Sequence, residues 1–206
     1  HKLRYIGNGV VLDKFLEQVV PVPVRSAKPM VLMVSRLVKE KGCADFLEIA
    51  RNLSDRACFV HIGPSEDDQR DAISAEEIAR ASQHVSFIGA VDDIRPYLAA
   101  ADIVALPSYR EGIPRVAMEA AAAGKPVVAY DVRGVREVID PTTGLLAPRG
   151  DIAALQEVVV ELLEDPERRS KLGEACRDRV VDLFSEEGVI ERLRVVYREL
   201  VGGVVS

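Results

Sequence analysis

The sequence predicts an α/β protein built on a Rossmann-like, doubly wound parallel sheet of about six strands, followed by C-terminal helices. Three observations lead to this fold class. Short β-branched runs alternate with helical patterns from Met30 onward, as in consecutive βαβ units. The chain has 206 residues, of which 48% are hydrophobic and 29% charged, which suffices for a buried core. No internal repeat or low-complexity tract interrupts the stretch from Met30 to Val201.

Six strands and five connecting helices are expected in alternation. The predicted strands are Val31 to Ser35, Ala57 to Ile62, Val85 to Ile88, Ile103 to Leu106, Val127 to Tyr130 and Gly144 to Leu146. The predicted helices are Ala44 to Leu53, Ala72 to Ala81, Ile94 to Ala100, Pro114 to Ala123 and Val135 to Ile139. Pro114 suits a first helical position, where no N–H is needed, and Gly124 suits the end of the same helix.

Three further helices are expected after the last strand. Asp151 suits the N-cap of a helix from Ile152 to Leu163, and Asp165-Pro166 opens a second helix of about 15 residues. The last helix begins at Ser185-Glu186. Its apolar residues recur at helical spacing and form one stripe: Val189, Leu193, Val196, Tyr197 and Leu200. This stripe must be covered, either by the same domain or by a chain segment outside the sequence.

The composition argues against several classes of protein. A net charge of −6 disfavours a nucleic-acid partner, because nucleic-acid-binding proteins carry a basic excess that neutralises phosphates. The odd number of cysteines, widely spaced and without a CxxC pair, indicates neither a disulfide framework nor a zinc site: Cys43, Cys58 and Cys176. No apolar run approaches the roughly 20 residues of a membrane span, and no signal peptide is recognisable. We therefore expect a soluble protein of the reducing cytoplasm.

Two cations follow the first predicted strand. An open parallel sheet binds ligands beyond the carboxyl ends of its strands, so the turn from Ser35 to Gly42 is a candidate site. It carries Arg36 and Lys41 close to the start of a helix. A fork-shaped guanidinium and a compact ammonium would together suit two adjacent phosphates. The alternative is that both cations simply face solvent.

Two carboxylates flank the helix that follows the fourth predicted strand. Glu111 precedes this helix and Glu119 lies within it. Eight residues at roughly 100° each turn through about 800°, which leaves the two side chains about 80° apart and disfavours a shared-proton dyad. A carboxylate beside a phosphate is repulsive unless it faces a neutral group, and sugar hydroxyls are neutral donors. Both residues are therefore candidates for binding hydroxyls, with helix-dipole and surface charges as the alternative.

Other nucleotide-binding and hydrolytic motifs are missing. The first strand is not followed by GxGxxG, and GxxxxGK[ST] is absent, which disfavours a dinucleotide-dependent oxidoreductase and a P-loop kinase. There is no GxSxG elbow, and the histidines are His1, His61 and His84. His61 lies within a predicted strand and His84 just before one, so we interpret both as structural.

The motifs, taken in chain order, resemble those of one large enzyme family. The pattern from Glu111 to Glu119 lies within Glu-Gly-Ile-Pro and Glu-Ala-Ala-Ala-Ala-Gly-Lys-Pro-Val-Val. Around it lie Ser35-Arg36-Leu37 with Lys41-Gly42, Phe87-Ile88-Gly89, Ala101-Asp102-Ile103 with Leu106-Pro107-Ser108, and Gly134-Val135-Arg136-Glu137-Val138-Ile139 with Gly144-Leu145-Leu146. This ordered set resembles the retaining glycosyltransferases of the GT-B class called family 4, or glycosyl transferases group 1.

The resemblance implies one half of a GT-B enzyme, the C-terminal domain that binds a nucleotide-sugar. Residues 1–24, with Asn8-Gly9-Val10, resemble an interdomain segment, and residues 25–184 are expected to form the Rossmann-like domain. Residues 185–206 are expected to form a C-terminal helix, for which packing on an N-terminal domain outside the sequence is one option. The active site of such an enzyme lies between two domains, so we expect this half alone to be inactive. No metal or other cofactor is implied.

The resemblance also assigns roles to individual residues. Arg36 and Lys41 would bind the diphosphate and stabilise its charge as the glycosidic bond breaks. Glu111 would hold hydroxyls of the donor sugar, helped by the N–H groups of Gly112 and Ile113. The remaining donor-binding residues are Glu119 for the ribose, Gly89, Ala90 and Val91 for the base, and Val116 for the pocket wall.

The expected partners are a nucleotide-sugar donor and a sugar or lipid-linked sugar acceptor, the latter bound by the N-terminal domain. The Glu-Gly-x-Pro-Arg-Val version of the motif resembles transferases of bacterial polysaccharides and lipid-linked oligosaccharides, so a UDP-sugar is the first choice of donor. Peripheral contact with the inner face of a membrane stays open. A non-catalytic nucleotide-sugar-binding module and a GT-B sugar-nucleotide epimerase are the alternatives.

Two departures from the family pattern stand near the site. Gly63-Pro64-Ser65-Glu66 lacks a second glycine that the family often has. Arg133 stands where small residues are common, and either a phosphate contact or a solvent-facing position is compatible with the sequence.

Overall fold

The structure, a computed structural model, describes residues 11–16, 19–23, 27–66 and 69–202. It contains six strands: β1 (Met30–Val34), β2 (Cys58–Ile62), β3 (Val85–Gly89), β4 (Ile103–Leu106), β5 (Val127–Tyr130) and β6 (Gly144–Ala147). All pairings are parallel, in the order β3-β2-β1-β4-β5-β6. The predicted fold class is confirmed. The Asn8-Gly9-Val10 segment lies outside the described residues.

The helices follow the predicted alternation, with small differences in their bounds. They are α1 (Asp13–Leu16), α2 (Cys43–Leu53), α3 (Ala75–Ala81), α4 (Arg95–Ala100), α5 (Arg115–Ala122), α6 (Arg133–Val138), α7 (Ile152–Glu164), α8 (Pro166–Phe184) and α9 (Glu186–Gly202). A single 3₁₀ turn, Lys39–Lys41, precedes α2. This turn and α1 were not predicted, because elements of three or four residues are too short to show a hydrophobic period.

Helix caps explain two of the differences from the predicted helix bounds, and a third is one of length. The helix expected from Ala72 begins at Ala75, because Ser74 forms a capping box with Glu77. Pro114 is the N-cap of α5 rather than its first residue, with an extended backbone at φ −73° and ψ 112°. The helix opened by Asp165 has 19 residues instead of about 15.

The strand order places a switch point between β1 and β4. From β1 the chain proceeds outward to β2 and β3, and from β4 it proceeds in the opposite direction to β5 and β6. Because crossover connections are right-handed, their helices cover opposite faces of the sheet. The helices that follow β1 and β4 therefore lie on opposite faces of the sheet, and a crevice opens beyond the ends of these two strands. This is the position where open α/β sheets bind ligands.

The core is formed by the central strands. Every residue of β4 and β5 is buried, as expected for parallel strands covered on both faces. Edge strand β3 alternates between buried and more accessible residues, and Ile88 is exposed. On one face α2 contacts α7, and on the other α5 contacts α8. The central strands therefore form a fixed base for the loops at the switch point.

The apolar stripe of α9 is only partly covered by the described residues. Val189 is buried close to the end of α8. Farther along the helix, Tyr197, Leu200 and Val201 are exposed to 65–66%. The described part of the domain thus covers the first turns of the stripe and leaves the last turns accessible.

Candidate functional site

The loop after β1 packs closely on the loop after β4, and a glycine makes this approach possible. Gly42 adopts a left-handed conformation with φ +72° between the 3₁₀ turn and α2. A Cβ at this position would lie 1.9 Å from the carbonyl oxygen of Pro107, so no larger residue fits. The backbone amide of Tyr109 also donates to the carbonyl of Glu40, at 2.9 Å. The two loops therefore lie side by side at the switch point.

Lys41 and Glu111 meet between these two loops. Lys41 Nζ donates to Glu111 Oε1 at 2.7 Å, although 70 residues separate them in the chain. Their side chains are only 23% and 11% exposed. The backbone of Glu111 and Gly112 is in turn supported by α6, because a Cβ on Gly134 would lie 1.7 Å from the Gly112 carbonyl oxygen. The pair is thus a charged contact in a partly buried setting.

Arg36 makes a separate ion pair. Its Nη1 donates to Glu66 Oε2 at 2.9 Å, in the loop that follows β2. The Arg36 side chain is 49% exposed. The sequence led us to expect Arg36 and Lys41 to converge on one ligand. In the structure they share a loop, but each contacts a different carboxylate.

Glu119 lies on α5, apart from the Lys41–Glu111 pair. Its side chain is 14% exposed, and Arg115 Nη2 lies 3.8 Å from its Oε1. Burial raises the pKa of the Glu119 carboxyl above its ordinary value, and the Arg115 charge partly offsets this. Among the described residues this partly buried carboxylate has one ion pair, at 3.8 Å, so it has unused acceptor capacity. It is therefore suited to bind hydroxyl groups.

Two adjoining cavities open beyond the carboxyl ends of β1 and β4. The smaller, about 150 Å³, is lined by Val34, Ser35, Lys41, Leu106, Glu111, Pro114, Arg115 and Val116. The larger, about 680 Å³, is lined by Val11, Lys14, Phe15, Val34, Asp92, Asp93, Ile94, Arg95, Arg115, Val116 and Glu119. They share Val34, Arg115 and Val116. The two adjoining cavities are together called the groove, with Lys41 and Glu111 in the wall of the smaller end and Glu119 in the wall of the larger end.

Several predicted residues lie beside this groove rather than in its wall. Gly112 and Ile113 line neither cavity, although their neighbours Glu111 and Pro114 do. Gly89, Ala90 and Val91 also line neither, and the wall begins at Asp92. The Gly89 carbonyl accepts a hydrogen bond from the Gly63 amide at 2.9 Å.

Other lining residues were missed by sequence reasoning. Lys14 and Phe15 come from α1, and Asp93 and Arg95 follow β3. Arg95 donates to both oxygens of Asp93 and to the Lys14 carbonyl, which joins α1 to the start of α4. Asp93 and Arg95 could have been found from the rule that ligands bind beyond the carboxyl ends of strands. Phe15 lies within residues 1–24, which resemble the interdomain segment of the family.

A polar cluster at the end of β1, with Cys43 and His61 buried and Ser35 partly buried, contacts the backbone of Arg36. Ser35 Oγ donates to the Arg36 carbonyl at 2.9 Å, and Cys43 Sγ lies 3.4 Å from the same oxygen. Ser35 Oγ also lies 3.4 Å from His61 Nε2. Burial lowers the pKa of His61 to about 4 and raises that of Cys43 to about 11. Both side chains are therefore neutral near pH 7, which fits a structural role for His61.

Other features of the described residues lie outside this groove. A third cavity of about 400 Å³ lies between α2 and α3 and is lined by none of the predicted site residues. No group of three or more His, Cys, Asp or Glu residues in the described ranges is arranged to hold a metal ion. Within those ranges no helix has the length and hydropathy needed to span a membrane.

A parallel sheet with a cation-bearing groove at its switch point defines a ligand-binding α/β domain of the doubly wound class. The sequence model described as Glycosyl transferases group 1 matches residues 17–179. The chain belongs to this family of glycosyltransferases, as the ordered motifs predicted.

Curated relatives support the assignment over most of the chain. The chain is 34% identical over 178 residues to the N,N'-diacetylbacillosaminyl-diphospho-undecaprenol alpha-1,3-N-acetylgalactosaminyltransferase of Campylobacter jejuni, a match covering 86% of the chain and 46% of the relative. It is 35% identical over 179 residues to the GDP-mannose-dependent monoacylated alpha-(1-6)-phosphatidylinositol monomannoside mannosyltransferase of Corynebacterium glutamicum, covering 80% and 46%. The chain spans about half the length of these relatives.

Solved structures share the same architecture. The sucrose-phosphate synthase of Thermosynechococcus elongatus superposes with a TM-score of 0.81 at 31% identity, covering 97% of this chain and 53% of that one. Anabaena HepE, solved in complex with UDP, gives a TM-score of 0.71 at 23% identity and covers 85% and 49%. At this identity, the comparison with HepE shows a shared fold alone.

Proposed function

We propose that this chain is the donor-binding half of a retaining glycosyltransferase of family 4, which moves a sugar from a nucleotide-sugar to an acceptor hydroxyl. The observation that carries the proposal is the Lys41–Glu111 pair at the switch point, with its 2.7 Å contact. It places a cation and a carboxylate at one end of the groove, where a phosphate and a sugar would meet. Glu119 at the other end supplies a second acceptor for hydroxyls.

The diphosphate would bind at the cationic end of the groove. Lys41 lines the smaller cavity, and Arg36 on the same loop can leave Glu66 because half of its side chain is exposed. When the bond from the sugar C1 to the phosphate oxygen breaks, its electron pair stays on the diphosphate. Lys41 and Arg36 would stabilise this developing charge. This role is one of fixed electrostatics and, in our proposal, requires no metal ion.

The sugar would lie against Glu111 and the nucleoside against Glu119. Glu111 can accept hydrogen bonds from the sugar hydroxyls while Lys41 turns toward the phosphate, so the two residues contact both parts of the donor. In a retaining reaction the acceptor oxygen bonds to C1 on the face that the diphosphate leaves, and the acceptor proton passes to the departing phosphate oxygen. Gly112 and Ile113 would offer N–H groups beside the sugar.

The larger cavity would take the nucleoside. Its volume of about 680 Å³ lies within the range of small-molecule sites. Glu119 would accept hydrogen bonds from the ribose hydroxyls, which replace the water lost by burial. Val116 would form the wall between ribose and diphosphate, since it lines both cavities. The segment from Gly89 to Val91 would approach the base through backbone groups.

The names of the relatives and neighbours support a nucleotide-sugar donor. The Corynebacterium relative is named for GDP-mannose, and HepE has been solved with UDP and with UDP-glucose. The Campylobacter relative is named for an acceptor attached to diphospho-undecaprenol. We propose a UDP-sugar donor and an acceptor in polysaccharide or lipid-linked glycan synthesis, within the cytoplasm and at the inner membrane face where the acceptor is lipid-linked.

The division of the protein follows from this proposal. Residues 1–24 would connect the chain to an acceptor-binding domain, residues 25–184 would bind the donor, and residues 185–206 would form the closing helix. The exposed apolar end of α9, with Tyr197 and Leu200, is compatible with packing on that further domain. The donor half alone would bind nucleotide without transferring sugar.

Isothermal titration calorimetry of this chain with UDP, UDP-glucose, GDP and ADP tests the proposal. We expect UDP and UDP-glucose to bind in the micromolar to millimolar range, with equal affinity in EDTA. Arg36→Ala and Glu119→Gln should each weaken UDP binding. Lys171→Met is the matched control, because Lys171 pairs with Glu167 on an exposed face of α8. Absence of nucleotide binding, or equal UDP affinity in all variants, would show that the site is wrongly assigned.

A further inference from the structure

A buried carboxylate on α2 joins the loop that carries Glu111 to the core. Asp45 is only 6% exposed, and its Oδ2 accepts hydrogen bonds from Tyr109 at 2.8 Å and from Tyr130 at 2.6 Å. The two phenol rings pack edge to face, with centroids 5.5 Å apart. Burial and the Asp45 hydrogen bonds raise the pKa of both phenols. Both therefore remain protonated donors at neutral pH.

The two tyrosines belong to different parts of the fold. Tyr130 is the last residue of β5 and is fully buried, so it holds Asp45 against the sheet. Tyr109 lies in the loop after β4, two residues before Glu111, and is only partly buried. Asp45 therefore connects the start of α2 both to the core and to the loop that carries Glu111.

Further contacts join the same two segments. The Tyr109 amide donates to the Glu40 carbonyl at 2.9 Å, and Gly42 packs on the backbone of Pro107. Lys41 lies between Glu40 and Gly42, so contacts on both sides fix its backbone relative to the loop after β4. Its side chain then reaches Glu111 without any further adjustment of the loops.

We propose that Asp45 is a positioning residue which, through the Tyr109 hydroxyl, holds Glu111 and Lys41 in the arrangement that receives the sugar diphosphate. The proposal rests on the proposed function of this groove. Asp45 lines neither cavity and therefore acts only through the loop that Tyr109 anchors. Tyr130 supplies the fixed reference, because it binds the same oxygen from the core.

The comparison of Tyr109→Phe with Tyr130→Phe separates positioning from simple stability. Each change removes one phenol hydroxyl that donates a hydrogen bond to Asp45 Oδ2, and keeps the aromatic ring. If the cluster is only structural, the fully buried Tyr130 should matter more for both stability and binding. If Asp45 positions the loop, Tyr109→Phe should weaken UDP binding by up to about tenfold, because losing the hydrogen bond lowers the population of the positioned loop and the apparent affinity falls with it. Tyr130→Phe should lower the thermal midpoint more, yet change UDP affinity by less than about threefold, because the loop contact remains.

Hydrogen exchange of the backbone amides gives a readout that needs no ligand. The Tyr109 amide bonds across the two loops, so its exchange should accelerate about tenfold in Tyr109→Phe and stay unchanged in Tyr130→Phe. Equal exchange rates, or UDP affinities that follow the thermal midpoints of the two variants, would overturn the inference. If the wild-type chain binds no UDP, the proposed function fails, and the exchange rates alone then decide whether Asp45 positions the loop.

Discussion

Replacing Lys41 by Met should separate the stability of the site from its affinity for the donor. The change keeps an unbranched side chain of similar length and removes the charge that contacts Glu111 at 2.7 Å. Glu111, with a side chain only 11% exposed, would be left without this partner. Breaking a fully buried pair costs about 3–5 kcal/mol, whereas an exposed pair is worth about 0.2–1 kcal/mol.

The exposure of the pair sets the expected magnitude between these limits. Because the Lys41 side chain is 23% exposed, we expect a loss of about 2 kcal/mol in the free energy of unfolding. For a chain of this size that lowers the thermal midpoint by about 4–8 °C. Loss of a charged hydrogen bond to the diphosphate should weaken UDP binding by about 10- to 150-fold.

The double variant Lys41→Met with Glu111→Gln provides the discriminating result. It removes the unpaired carboxylate, so most of the unfolding free energy should return while UDP affinity stays low. Thermal unfolding and titration calorimetry measure the two effects separately. Lys171→Met, which breaks an exposed pair of similar length, should change stability by less than about 1 kcal/mol. The role assigned to Lys41 is wrong if Lys41→Met behaves like Lys171→Met, or if the double variant regains UDP affinity.

Three further changes test residues in or beside the groove. Glu66→Gln frees Arg36 from an exposed ion pair worth at most about 1 kcal/mol, so calorimetry should show up to about fivefold tighter UDP binding. Weaker UDP binding would contradict the role of Arg36. Glu119→Gln should weaken UDP binding but stabilise the fold at pH 7. Burial raises the pKa of Glu119, so the ionised carboxylate destabilises the folded state of the wild type. This cost is absent below the unfolded pKa of about 4.5 and grows as the pH rises toward the folded value. If the unfolding free energies of wild type and Glu119→Gln change with pH in parallel, the prediction is wrong. Gly134→Ala should destabilise the fold and displace the Glu111 loop, since its Cβ would lie 1.7 Å from the Gly112 carbonyl oxygen. Gly112→Ala is the control and should unfold like wild type, because a Cβ on Gly112 meets nothing within 4 Å.

Much of the fold was predictable because its signals are local. Short apolar runs located all six strands to within one residue at each end. Helix ends were less predictable where a cap decided them, as at Ser74 and at Pro114. The 3₁₀ turn before Gly42 gave no periodic signal. It follows from the close approach to Pro107, which is a tertiary contact.

The candidate site was predictable in part. Lys41, Glu111 and Glu119 were found from their places after strands and in the helix, and the structure puts all three on the groove. The contact between Arg36 and Glu66 was not predicted, because nothing in either segment identifies the partner. The wall formed by Lys14 and Phe15 depends on where the chain before β1 lies, which the periodic pattern does not encode.

The sequence by itself determined the alternation of strands and helices, the family, and the residue types available to bind phosphate and hydroxyl groups. These follow from side-chain period, turn chemistry and motif order, all of which act over short stretches of chain. Only the tertiary structure decided that Lys41 meets Glu111 across 70 residues, and that Asp45 reaches Tyr109 and Tyr130 across 64 and 85. The physical reason is that the order β3-β2-β1-β4-β5-β6, set by how the strands pack, brings the loops after β1 and β4 together.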